Sequence, residues 1–148
     1  MVQQIKLPHP LKGVFEQDED VLLALFLFTY YRDEIRDAKV GIAYVIKNQM
    51  THPRWWGKDL SSVIRNYGLK DSKEILFPFR VAEPEVWDEC FLIAQGVLNE
   101  TITNPIDSCD TFFHEKNVPK RWYALSRPGV FFCKLGNINF YNVELKNG

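Results

Sequence analysis

The chain has 148 residues, of which 46% are hydrophobic and 14% aromatic, and it carries a formal net charge of -1. That supports one substantial core and leaves little length for a second. The near-neutral balance excludes a mainly electrostatic grip on nucleic acid, which rests on clustered Lys and Arg, so nucleic acid is not an expected partner.

Residues 1–17 contain Pro8, Pro10 and Gly13 and predict an extended arm that packs across the domain, with the single domain running over 18–148. The first ten residues lack the charged start, apolar middle and small-residue cleavage site of a signal peptide, so a cytoplasmic protein is expected. From Val21 to Phe28 the chain is apolar without a break, which predicts a helix buried on all sides with Asp18 or Asp20 as its N-cap. This run is too short to cross a bilayer, which needs about 20 apolar residues, and no membrane partner is expected. Five charges then crowd into Arg32–Asp37, an elbow before a second apolar helix over Val40–Asn48. Such a junction can hold a site.

Pro53 and Gly57 break the chain around Trp55 and Trp56, whose commoner role is to cap a helix end rather than to stack on a ligand. Asp59 predicts the cap of a short helix whose Leu60, Val63, Ile64 and Tyr67 fall on one face, ended by Gly68. Residues 69–82 show no period and read as a loop whose apolar half folds inward. Pro84 suits a first helical position, after which Trp87, Phe91, Ala94 and Leu98 line one face. Asn104-Pro105 marks a turn. The period then changes: 111–114, 130–134 and 138–143 are short β-branched or aromatic runs, the last two joined by Gly136-Asn137, and they predict a small antiparallel sheet. Cys90, Cys109 and Cys133 are odd in number and in no ligand spacing, which suits buried reduced thiols rather than a disulfide frame or a metal site. No metal or other cofactor is expected.

The order of these motifs resembles the catalytic domain of the cell-wall hydrolases typified by spore-cortex-lytic enzymes. That family reads roughly L-A-x-x-I-Y-x-E-A-R-G-E, then G-Q-x-A-V-A-x-V-x-x-N-R. Without a gap, Leu23, Ala24, Arg32, Glu34, Val40, Ala43, Val45 and Asn48 fall in matching places, Asp37 sits on a family acid, and the first glutamate falls on Tyr30. A four-residue deletion would instead lay Glu34-Ile35-Arg36-Asp37 on E-A-R-G; the ungapped register matches more positions. Further along, the run from Pro84 through Trp87, Cys90, Ile93 and Ala94 to Leu98 follows the family's P-x-x-W-x-x-C-x-x-I-A-x-x-V-L. Phe113-His114, Pro119 with Trp122, and Leu135–Tyr141 follow its F-H, P-x-W and I-G-N-H-x-F-Y, with Ile138 in place of a histidine. A Q-F-S-W-like groove element has no counterpart between 69 and 82. The resemblance spans about residues 21–142 and implies an α+β, mainly helical, lysozyme/lytic-transglycosylase-like domain with a small C-terminal antiparallel sheet.

Glycan cleavage in that family implies one glutamate that protonates the leaving oxygen, in a pocket that suits a neutral carboxyl group. A phenol has a reference pKa near 10 and does not replace it, so Tyr30 implies lost or weakened turnover. Glu34, one helical turn on, is the catalytic candidate if activity survives, although the charges of Arg32, Asp33, Arg36 and Asp37 predict a solvated or salt-bridged carboxylate there. Stacking and hydrogen bonding in an inherited groove outlast the acid, which makes Tyr30, Tyr31, Arg32, His114, Trp122, Asn137 and Tyr141 the ligand-binding candidates; Tyr123 could add a further aromatic wall. Asp110 reads as a cap for the turn before the first strand. The expected partner is a small glycan or nucleotide-like molecule, in the setting of a phage protein that sequesters a host immune signal. The alternatives are an active peptidoglycan-cleaving lysin and a protein-binding inhibitor or structural component; oligomeric state is not legible.

Overall fold

The computed structural model describes residues 5–51, 59–76, 83–118 and 131–143. Helix α1 (Glu19–Tyr31) follows from the apolar run: all eight residues from Val21 to Phe28 are buried, so this stretch of the helix turns no side to solvent. Asp18 is its N-cap residue, through its backbone oxygen, which accepts from Leu22 N at 2.8 Å. Its side chain makes no cap bond; with Asp20 it holds Lys6 of the arm, at 3.4 Å and 3.0 Å. The described part of the arm is strapped down further by Trp87 Nε1 donating to Lys6 O at 2.9 Å and by Val14, fully buried, whose N–H donates to Asp71 Oδ1 at 3.0 Å.

Ile35 is extended and starts helix α2 (Arg36–Met50), Lys39 N bonding Ile35 O at 3.1 Å. The helix thus begins earlier than Val40, because Arg36 and Asp37 sit exposed on its first turn at no burial cost. Helix α3 (Leu60–Arg65) is capped as expected, Asp59 Oδ1 accepting from Ser62 N at 2.8 Å, which holds the Asp59 carboxyl below its ordinary range. Gly68 follows at φ +86°, a left-handed turn that favours glycine. A short 3₁₀ turn, Lys73–Leu76, brings Leu76 into the core, the described end of the expected loop; 77–82 lie outside the described residues, as do Trp55 and Trp56. Helix α4 (Pro84–Leu98) has Pro84 in its first turn and buries Trp87, Phe91 and Ala94 against α1 and α2, with Leu98 half-buried.

Strands β1 (Thr111–His114), β2 (Phe131–Leu135) and β3 (Ile138–Tyr141) form an antiparallel sheet in the order β1-β3-β2. Strand β3 stops short of Val143 because Val143 N turns to Asp110 Oδ1, at 2.9 Å, instead of a strand partner. The sheet docks on α2 through one small residue: a Cβ added to Gly41 would stand 2.6 Å from Cζ of the fully buried Phe140. Cys90 and Cys109 are buried, their thiols pushed up to about 12 by burial, whereas Cys133 is only half-buried. Among the described residues no helix is long and apolar enough to cross a membrane.

Candidate functional site

The end of α1, the elbow after it and the end of β1 meet at one place. Tyr30, in the last turn of α1, is exposed: 45% of the residue is accessible, its hydroxyl donates to Gly68 O at 3.1 Å, and its ring meets Phe26 and Tyr31 edge-on at 5.7 and 6.2 Å. Both ends of this side chain are therefore fixed. Tyr31 lies deeper, edge-on to Phe26 and Phe112 at 5.5 and 5.6 Å. Burial first, then the neighbouring Tyr30 and Glu34, pushes its phenol up to about 12, so it stays protonated at neutral pH.

Glu34 departs from the expectation of a solvated or salt-bridged carboxylate. Its side chain is 12% exposed, and Oε1 is enclosed with no hydrogen-bond partner among the described residues. The arginines expected to neutralise it are elsewhere. Arg32 turns to the start of α4, its Nε 3.4 Å from Glu83 Oε2 and its guanidinium 5.5 Å from the Phe28 ring centre, while Arg36 stands exposed on α2. The partner that does face Glu34 is His114, Nε2 lying 4.0 Å from Oε2. That is longer than a hydrogen bond, so the two groups confront each other without closing. His114 is itself held, because Nδ1 accepts from Lys116 N at 3.1 Å.

The remaining candidates divide. Asn137 is exposed at the turn tip, and its carbonyl accepts from Glu115 N at 2.7 Å, which places it beside His114. Tyr141 is not brought to the pair. Side chains alternate along a strand, so pairing of His114 with Ile138 and of Thr111 with Tyr141 puts Tyr141 on the sheet face away from His114. There it meets Phe113 and Phe131 edge-on at 6.1 and 5.6 Å and is 6% exposed. Arg32 likewise serves the α1–α4 junction rather than the pair. Trp122 and Tyr123 lie outside the described residues.

Sequence reasoning missed the groups that hold β1 in place. Asn48 Nδ2 donates to Asp107 O and Cys109 O at 3.0 and 2.9 Å, tying the end of α2 to the loop before β1. Gln49, 1% exposed, donates to Tyr67 Oη at 2.8 Å and Asp110 O at 2.7 Å. Tyr67 in turn stacks on Phe112, centroids 5.6 Å apart at 15°. Asp110 is a clamp rather than a simple cap, Oδ1 accepting from both Thr111 Oγ1 and Val143 N at 2.9 Å. Two polar residues ending an apolar helix, Asn48-Gln49, were the available signal. Two open clefts, of about 620 and 610 Å³, lie at the other end of α1 and share no residue with the Glu34–His114 pair.

Helices packed around the buried α1, with a three-stranded antiparallel sheet at the C-terminal end, make up a fold that is found in solved structures. Two solved structures share it. One is the catalytic domain of the germination-specific lytic transglycosylase SleB from Bacillus anthracis, 19% identical with a TM-score of 0.57, covering 84% of this chain and 95% of that one. The other is the catalytic domain of the Bacillus cereus SleB protein, also 19% identical at 0.57, covering 83% and 88%. No family model and no curated protein matches the sequence.

Proposed function

We propose that the chain binds a sugar-like or nucleotide-like small molecule at the Glu34–His114 pair, with Tyr30 contributing from the end of α1. The observation that carries this reading is the unclosed pair: a carboxylate 12% exposed faces an imidazole donor across 4.0 Å. A ligand hydroxyl, which both donates and accepts, can satisfy the two together. Tyr30 adds a ring locked by its hydroxyl bond to Gly68, and a fixed aromatic gives stacking area with little entropy left to lose. The test is a thermal-shift panel of muropeptides, cyclic nucleotides and ADP-ribose, since binding to the folded state alone raises the melting temperature. A shift that Tyr30→Ala removes supports the reading; no shift from any compound sinks it and leaves a protein-binding or structural role.

A second reading, peptidoglycan cleavage with Glu34 as the acid, is favoured by one specific observation: Glu34 is enclosed, and neither Arg32 nor Arg36 pairs with it among the described residues. Released muropeptides from purified cell wall decide it. Loss of that product in Glu34→Gln by about 10²-fold or more supports turnover; background release from the unaltered protein rejects it.

A further inference from the structure

His114 stands last in β1, where the chain leaves the sheet for a single 3₁₀ turn, Glu115–Asn117. Its Nδ1 accepts the backbone N–H of Lys116, as the N-cap of that turn. A neutral imidazole has one donor and one acceptor nitrogen, so an accepting Nδ1 leaves the proton on Nε2. Nε2 is the atom that faces Glu34 Oε2. We infer that His114 is a ligand-binding residue oriented by its own cap: the Lys116 bond fixes its proton on Nε2, and this donor, with Glu34, forms the pair that takes one ligand hydroxyl. The inference rests on the binding reading above and adds to it a defined tautomer, a defined atom and a division of labour between the two ring nitrogens.

That division gives two conservative replacements opposite consequences. Asparagine places an acceptor near Nδ1 and is itself a good N-cap, so His114→Asn keeps the Lys116 bond and loses the donor facing Glu34. Glutamine reaches to about the position of Nε2 and carries an N–H there, so His114→Gln keeps the donor and gives up the cap. Titration calorimetry with an N-acetylglucosamine tetramer is the binding readout, with melting temperature as the structural one. Expected are a Kd for His114→Gln within about threefold of the unaltered protein and a melting temperature below it. For His114→Asn the melting temperature is retained and the Kd is weakened more than tenfold, as in Glu34→Gln. Binding retained by His114→Asn overturns the inference, because His114 is then a cap alone.

Nitrogen-15 NMR of the imidazole tests the same assignment without any ligand. At pH 8 the ring should show a protonated Nε2 and an accepting Nδ1, and the Nε2 resonance should move in Glu34→Gln. A proton on Nδ1, or an Nε2 resonance indifferent to Glu34→Gln, overturns the inference even if the tetramer binds. The NMR pattern without any heat from the tetramer upholds His114 and counts instead against sugar binding.

Discussion

Replacing Glu34 by methionine should make the protein more stable while removing whatever the site binds. The carboxylate costs stability where it stands: one oxygen is enclosed without a donor, and the other faces an imidazole at 4.0 Å instead of a bonded partner. An unsatisfied buried polar group costs about 1–3 kcal/mol, more when charged. Methionine has similar length and flexibility, so its own misfit should stay below about 1.5 kcal/mol. Mid-range values, about 2 kcal/mol for the unsatisfied group against about 0.75 kcal/mol for the misfit, leave a net gain of about 1 kcal/mol. At about 2–4 °C per kcal/mol for a chain of this size, the melting temperature rises by about 2–4 °C. Glu34→Gln should gain less, because its amide N–H₂ needs a partner in the same enclosure. Calorimetry at pH 7 measures the shift, and the thermal-shift panel run on the same variant should lose its response. A variant that melts lower than the parent refutes the reasoning, since it would mean that Glu34 holds the fold and is no site group kept at a cost.

Lys39 is 3% exposed and bonded at 2.6 Å to Glu89, which is 40% exposed. Glu89→Ala should therefore lower stability in urea by about 2–3 kcal/mol, less than for a fully buried pair because water can reach the vacated side, whereas Lys39→Met should be neutral or better. Gly41→Ala should cost about 1–3 kcal/mol despite its higher helix propensity, because the new methyl meets the Phe140 ring at 2.6 Å; pairing it with Phe140→Leu should recover part of the loss in a double-mutant cycle. Burial raises the folded-state Tyr31 phenol above its ordinary value of 10 to about 12, so the stability this represents is complete below pH 10 and lost as pH rises from 10 towards 12. Tyr31→Phe should flatten that part of the alkaline melting profile, leaving the portion due to Tyr67, which burial also raises; an unchanged profile would show that Tyr31 is not protected from ionising.

The fold was legible where the pattern was one-dimensional. Eight apolar residues in a row call for an element buried on every side, and α1 meets that as a helix. Asp59 before Leu60 and Pro84 before Val86 fixed two helix starts by local chemistry that tertiary structure did not override. The site was harder to read because its chemistry depends on partners distant in sequence. Counting charges around Glu34 predicted an ion pair, yet Arg32 is drawn to Glu83 at the start of α4 and Arg36 to solvent. Tyr141 shows the same limit: an aromatic strand residue faces the groove or the opposite side according to strand register, and the pairing of Thr111 with Tyr141 settles that.

The groups that hold the site are separate from those that would act in it. Asn48 and Gln49 end α2 and bond the backbone at Asp107, Cys109 and Asp110, and Asp110 ties the start of β1 to the residue after β3, so β1 is anchored by bonds made away from the His114 imidazole. Tyr30 is held from the other side by Gly68. If the ungapped register holds and Tyr30 stands where the resembling family carries its acid, that exchange would change the chemistry at the site without removing the bond to Gly68 that holds the residue. Tyr30→Glu tests that register. If it produces muropeptide release while the melting temperature holds, the groove still fits a glycan strand; if it produces none although the tetramer binds, the groove has diverged in shape as well as in its acid.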